Sequence, residues 1–149
     1  MVIKLACIED FVSWMKLVDK VKWNFPGLNS QQEYESYKQV VLKNINRGTA
    51  ICAKKDDSVV GLLLFSKNKK ILSCIAVDPD YRRQGIATKM IEYMFSFFEN
   101  QDGISVITFR ENDEKGKAPR ALYERLGFCE DELCVEHNYP HQKFIIKQG

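Results

Sequence analysis

The stretch "KILSCIAVDPDYRRQGIATKMIEYMFSFFEN", residues 70–100, constrains this chain more than any other. An apolar, β-leaning run stops at Asp78-Pro79. Past Gly85 the apolar residues Ile86, Met90, Ile91, Met94, Phe95 and Phe98 recur at helical spacing. A β-branched run, "ISVITFR" (104–110), follows. Strand, helix over Gly85 to Asn100, strand is a β-α-β unit. Its two strands must be parallel and its crossover right-handed. The rest of the chain has to pack around that unit.

Upstream, "VIKLACI" reads as a first strand and "EDFVSWMKLVDKVKW" as a helix, with "NFPGLNS" as a breaker-rich loop. Ser30 caps a second helix over "QQEYESYKQVVLKNINR", with Glu33 as its capping-box partner and Gly48 as its stop. "TAICAKK" and "VVGLLLF" flank "DDS" as a hairpin, and "FSKNKK" turns into the strand "ILSCIAV". Downstream, "ENDEKGK" is a polar loop and "PRALYERL" a helix opened by Pro119 and closed at Gly127. "FCEDELCVE" and "QKFIIKQ" are final strands joined by a loop containing Tyr139-Pro140. The order is β-α-α-β-β-β-α-β-α-β-β. The fold class is α/β, a mixed and mostly antiparallel sheet with flanking helices in one domain over residues 1–149.

The turn between strand and helix carries the chemistry. A helix N-terminus presents unpaired N–H groups and the positive end of the helix dipole, which makes it a ready anion site. In "RRQGIATK", Gly85 has no Cβ and lets an anion approach its N–H; Ala87 is small and Thr88 adds a hydroxyl. Arg82 and Arg83 add charge and a bidentate grip. These choices suit a pyrophosphate better than a plain connection. No Lys-Ser/Thr follows at Walker spacing, and the further glycines of a dinucleotide fingerprint are missing.

Composition narrows the partners. A net charge of +2 is too mild to point to nucleic acid or a membrane surface. No segment reaches the roughly 18 consecutive apolar residues of a membrane span. "MVIKLACIEDF" places acidic residues where a secretion signal would continue its apolar run. The five cysteines, odd in number and without a C-x-x-C pair, read as reduced and mostly buried thiols of a cytoplasmic protein, with no metal site among them.

"IAVDPDYRRQGIATKMI" resembles motif A of the GNAT superfamily of N-acetyltransferases, with "RRQGIA", Arg82 to Ala87, fitting its R/Q-x-x-G-x-G/A core. "ALYERLGF", Ala121 to Phe128, is similar to that family's motif B. The two stand in the family's order with a strand between them. The resemblance implies the GNAT fold, acetyl-CoA or a close acyl-CoA as cosubstrate, and direct transfer of the acyl group to an amine. By position it implies that backbone N–H groups of Arg83, Gln84, Gly85, Ile86, Ala87 and Thr88 cradle the pyrophosphate, with the Arg82 side chain beside them. Ile75, Ala76 and Val77 would pair with the pantetheine arm in a gap beside "ISVITFR". Tyr123 would protonate the departing sulfur. The family often carries Asn and Ala seven and four residues before that tyrosine, where this chain has Gly116 and Pro119.

A free alkyl amine, with a pKa of about 10, arrives protonated and needs a base. Glu111 is the first candidate, because it ends "ISVITFR"; Asp113, Glu114 and Glu33 stand behind it. His137 and His141 fall in the last loop, near where acceptors enter in the family. Trp23 and Phe25 either line an acceptor pocket or staple the first two helices, and stapling is the plainer reading. The acceptor implied is a small-molecule or peptide amine, and the resemblance leaves room for a homodimer. The rival readings are a non-catalytic acyl-CoA-binding module and an acetyltransferase acting on protein N-termini or lysines.

Overall fold

The apolar run after Lys70 is the central strand of a mixed sheet. The structure is a computed structural model and describes residues 1–24 and 27–147. Its strands are β1 (Val2–Leu5), β2 (Ala50–Lys55), β3 (Ser58–Ser66), β4 (Ile71–Val77), β5 (Ser105–Phe109), β6 (Phe128–Glu136) and β7 (Tyr139–Ile146). They lie in the order β1-β2-β3-β4-β5-β7-β6. The helices are α1 (Phe11–Val21), α2 (Gln31–Arg47), α3 (Ile86–Phe95) and α4 (Lys117–Arg125). The element order is the expected one. β4 and β5 are parallel, as the crossover requires, and the other neighbouring pairs are antiparallel.

Helices cover both faces of the central strands, so "VVGLLLF" reads as an unbroken apolar run. Leu62 and Leu64 turn to α1 and α2, where they meet Trp14, Val18 and Val41. Leu63 and Phe65 turn to the other face, where Met90, Ile91, Phe128 and Phe144 pack. Gly61 sets how closely α3 lies on β3. A Cβ there would come within 3.0 Å of Ile86 Cγ2 and Met90 Cε. The first turn of α3 therefore rests on bare backbone.

Ser30 Oγ accepts the Glu33 N–H at 3.1 Å and caps α2, and Gly48 ends it at φ 74°. The Glu33 carboxylate makes no return bond among the described residues, so the capping box is half formed. Several boundaries differ from the sequence reading. β1 stops at Leu5 because Ile8–Asp10 winds into a 3-10 turn ahead of α1. α3 ends at Phe95, not Asn100; the chain tightens through Phe97 N–H to Met94 O and Phe98 N–H to Phe95 O, which sets both phenylalanines against Phe65. α4 begins at Lys117, two residues before Pro119, whose missing N–H still falls among the donors a first turn leaves unpaired. The last hairpin turns at His137–Asn138, with φ of 52° and 61°, and not at Tyr139-Pro140, which belong to β7. Two residues at positive φ match a type I′ turn, and Asn and His tolerate that region better than most residues. Trp23 is 71% exposed and staples nothing; Phe25 lies outside the described residues.

One buried charge ties β1, α1 and β2 together. Asp10 is 2% exposed and accepts hydrogen bonds from Lys4 Nζ (2.5 Å), Lys54 Nζ (2.7 Å) and the Cys7 N–H (2.9 Å). Burial pushes its pKa up, but these donors outweigh burial and hold the carboxyl well below the usual range. A depressed carboxyl stabilises the fold above its unfolded pKa and loses that contribution as pH falls through it. Stability should therefore hold from neutral pH to about pH 5 and decline below about pH 4. Asp10→Asn should lose about 2 kcal/mol at neutral pH and flatten the acid decline. Urea unfolding of both proteins across that range is the check, and an unaltered acid slope in the variant would contradict this role.

Candidate active site

β4 runs beside β5 for only two residue pairs, Ile71↔Ser105 and Leu72↔Val106. On its other edge the register with β3 slips, with Leu64 opposite Cys74 but Phe65 opposite Leu72. Ser73 is the extra residue, and such a bulge bends its strand. β5 does not follow the bend, because β7 holds it from Ser105↔Ile145 to Phe109↔His141. The two parallel strands therefore splay. The Asp78 N–H still bonds Val60 O at 2.8 Å. Antiparallel alternation then points the backbone groups of Cys74 and Ala76 to β3 and those of Ile75 and Val77 into the gap. The gap is a cleft of about 980 Å³.

The basic turn forms one end of that cleft. Gly85 is the N-cap of α3 at φ 72°, and Arg83 is also left-handed at φ 65°. Among the described residues no side chain caps the helix, and no acidic residue stands in its first turn, so its leading N–H groups are open to an anion. Arg82, Arg83, Gln84 and Gly85 are exposed, and neither arginine has an ion-pair partner among the described residues. The two carboxylates just upstream share one cation: Lys20 bridges Asp78 and Asp80 at 2.8 Å each. A Cβ on Gly85 would meet nothing within 4 Å. The glycine answers the backbone angle and the open approach, not internal packing.

Tyr123 projects from α4 toward the splay. It is 3% exposed, with its ring 5.6 Å from Phe128 and 6.2 Å from Phe144 between centroids. Its hydroxyl has no hydrogen bond among the described residues, yet no buried side-chain oxygen there lacks a partner. The hydroxyl thus keeps contact with the cleft, which Tyr123 lines. Burial pushes the phenol well above its ordinary pKa, so it is neutral. Arg120, one turn earlier, pins α4 to the sheet through Phe109 O (3.1 Å), Gln142 Oε1 (2.8 Å) and Glu130 Oε2 (2.8 Å). Gly116 explains the departure from the family pattern. A Cβ there would lie 3.1 Å from Arg110 O and Phe109 Cβ, too tight for an asparagine without rearrangement.

A second cavity, of about 440 Å³, lies between α2 and β4. It shares Val21, Ser73, Cys74 and His137 with the cleft, so the two spaces meet at the bulge. Cys74 is the thiol nearest that meeting point, 3.8 Å from the Tyr37 hydroxyl, and burial pushes it up to about 11. Tyr37 also accepts the Trp14 indole N–H at 3.3 Å.

The structure brings Ile75, Ala76, Val77, Arg82, Arg83, Gly85, Ile86, Ala87, Thr88 and Tyr123 to one cleft. Gln84 and Glu111 do not line it. Glu111 is exposed in the turn after β5, because that strand ends at Phe109 and the chain leaves the sheet before reaching it. Asp113 bonds Tyr139 Oη at 2.6 Å, whereas Glu114 and Glu136 reach the cleft wall. His141 is buried, with Nδ1 2.7 Å from Tyr139 O. The sequence reading missed Tyr37, which shares a helix face with Glu33 and Val40 at the spacing i, i+4, i+7. It also missed Lys20 and the bulge at Ser73. Among the described residues no cluster fit to hold a metal ion occurs, and no helix is long and apolar enough to cross a membrane.

This fold is that of an acyl-CoA N-acyltransferase. The Acetyltransferase (GNAT) family model matches residues 14–128, and the chain belongs to that family. Over 65 residues it is 38% identical to the [ribosomal protein bS18]-alanine N-acetyltransferase of Escherichia coli K12, a match covering 44% of this chain and 41% of that protein. The alignment thus spans under half the length of that relative. A GNAT acetyltransferase from Bacillus cereus superposes with a TM-score of 0.76 over 99% of this chain and 96% of its own, at 24% identity. The PaiA N-acetyltransferase of Thermoplasma acidophilum, solved in complex with coenzyme A, gives a TM-score of 0.72 over 97% and 98%, at 17% identity.

If the turn takes a pyrophosphate, Gly85→Val should weaken acetyl-CoA binding by roughly tenfold or more. A β-branched residue at positive φ costs about 1–2 kcal/mol and projects where the anion approaches. Calorimetry on the folded variant is the check; unchanged affinity would contradict the assignment.

Proposed function

We propose that this chain is an acetyl-CoA-dependent N-acetyltransferase that moves the acetyl group directly from the thioester to an amine. The observation that carries the reading is the splay between β4 and β5, closed at one end by an arginine-flanked helix N-terminus. The residues present fit the cofactor. Ile75 and Val77 offer unpaired backbone N–H and C=O groups to the peptide-like amides of a pantetheine arm, as an added strand would. The first-turn N–H groups of α3, with Arg82 and Arg83, receive the pyrophosphate.

Bound acetyl-CoA supplies an electrophilic acyl carbon and a thiolate leaving group. Tyr123, a neutral phenol facing the cleft, donates its proton to that sulfur as the bond breaks. A β4 N–H in the gap serves the developing oxyanion. Cys74, held as a thiol by a pKa of about 11, is a poor acyl carrier at neutral pH, which favours direct attack by the amine. Glu111 has no part in this scheme. The amine's proton leaves toward the second cavity, whose charged and imidazole groups are Glu33 and His137. The similarity to an alanine N-acetyltransferase supports an amine as acceptor.

Tyr123→Phe keeps the ring and removes the hydroxyl. It should lower kcat by roughly 10²–10⁴-fold and leave acetyl-CoA affinity nearly unchanged. Because burial raises the phenol pKa, wild-type activity should show no loss from Tyr123 ionisation up to about pH 10. Thiol release over a panel of amines measures both. Wild-type turnover by Tyr123→Phe, with chemistry limiting, would reduce Tyr123 to a packing residue. Acetyl-CoA binding without thiol release for any amine would mark a non-catalytic binding module.

A further inference from the structure

Taking the cleft as the acetyl-CoA site, we propose that the acceptor is a primary amine on an uncharged apolar body, which lodges in the cavity between α2 and β4 with Glu33 as its anionic contact. The cavity joins the cleft at Ser73 and Cys74, where β4 bends away from β5. A nucleophile seated there reaches the splay from the side opposite α4. Its volume, about 440 Å³, holds an aralkyl amine or the first residue of a peptide.

The walls set the chemistry. Val18, Val21, Leu28, Val40 and Leu62 form the apolar surface, contributed by α1, α2, β3 and the segment before α2. Glu33 is the one carboxylate among the lining residues, and neither Lys nor Arg is among them. The Glu33 side chain has neither an ion-pair partner nor a hydrogen bond among the described residues, since Ser30 engages only its backbone N–H. The nearby basic residues are turned elsewhere: Lys22 and Lys38 sit over the Tyr34 ring, and Lys20 is held by Asp78 and Asp80. A cationic amine is drawn in by Glu33. A carboxylate brought along with it would lose water and meet neither lysine nor arginine on the lining. A second ammonium would lie among valines and leucines, with Glu33 already engaged. The cavity therefore selects against free amino acids and against polyamines.

The test compares phenethylamine, phenylalaninamide, phenylalanine and spermidine as acceptors at saturating acetyl-CoA. The first two should exceed the last two in kcat/KM by roughly 10- to 100-fold, the scale set by a buried charge left without a partner. Equal or greater turnover of phenylalanine or spermidine would overturn the proposal. A Phe-Ala-Ala peptide amide separates the two sources of the same chemistry. A kcat/KM above that of phenethylamine identifies a peptide N-terminus, and the reverse a small amine; both support the proposal. Ser36→Phe fills the cavity from an exposed position on α2. It should raise the KM for phenethylamine about tenfold or more, with calorimetric acetyl-CoA affinity unchanged. An unchanged KM in a folded variant would overturn the proposal. If acetyl-CoA binds but none of these acceptors turns over, the acceptor class is wrong and the cofactor reading stands. If acetyl-CoA does not bind, the cofactor reading falls. The cavity is then decided by amide shifts at Val40 and Leu62, which phenethylamine should perturb and phenylalanine should not; no perturbation would refute it.

Discussion

Unpaired backbone on the inner edge of β4 is the constraint around which the rest of this structure is arranged. A strand in the middle of a sheet normally satisfies both edges, and leaving N–H and C=O groups without partners in a protein interior is costly. Here the extra residue at Ser73 bends β4 away from β5 after two pairs, and Ile75 and Val77 face a gap. A cleft with peptide-like edges on one side and a basic helix end beyond it suits a ligand whose amide-bearing arm leads to a pyrophosphate.

The splay persists because its two walls are anchored separately. β4 is fixed to β3 beyond the bulge, as far as the Asp78–Val60 bond, and α3 lies against β3 through the bare backbone of Gly61. β5 is fixed to β7, and Arg120 fastens α4 to the end of β5 and to its neighbours. Tyr123 is carried on that second wall, so its hydroxyl faces the gap without belonging to either strand. Lys20 adds a tie from α1 to the turn by bridging the Asp78 and Asp80 carboxylates.

The fold was legible because its signals are local. "IAVDPDYRRQGIATK" announces a strand, a stop and a helix in one line, and Ser30 and Gly48 bound α2 as their chemistry dictates. The residues along β4 and the turn were legible for the same reason, since they are consecutive. What the sequence hid depends on partners far along the chain. Glu111 looked well placed at the end of a strand, but where β5 stops depends on its pairing with β7. Nothing local in α2 marks Tyr37; its neighbour Cys74 lies thirty-seven residues on. The bulge at Ser73 has no signature in "ILSCIAV"; it exists only as a slip against Leu64 and Phe65. The hairpin turn at His137–Asn138 was obscured by Pro140, which sits opposite Val135 on β6 and does not break the strand.

Amide hydrogen exchange along β4 tests the central claim most directly. The Ile75 and Val77 N–H groups should exchange readily in the free protein and become protected on saturation with acetyl-CoA. The Ala76 N–H, already bonded to β3, should be protected in both states. Ile75 and Val77 amides that exchange at the same rate with and without acetyl-CoA would contradict an account in which this edge is the cofactor's partner.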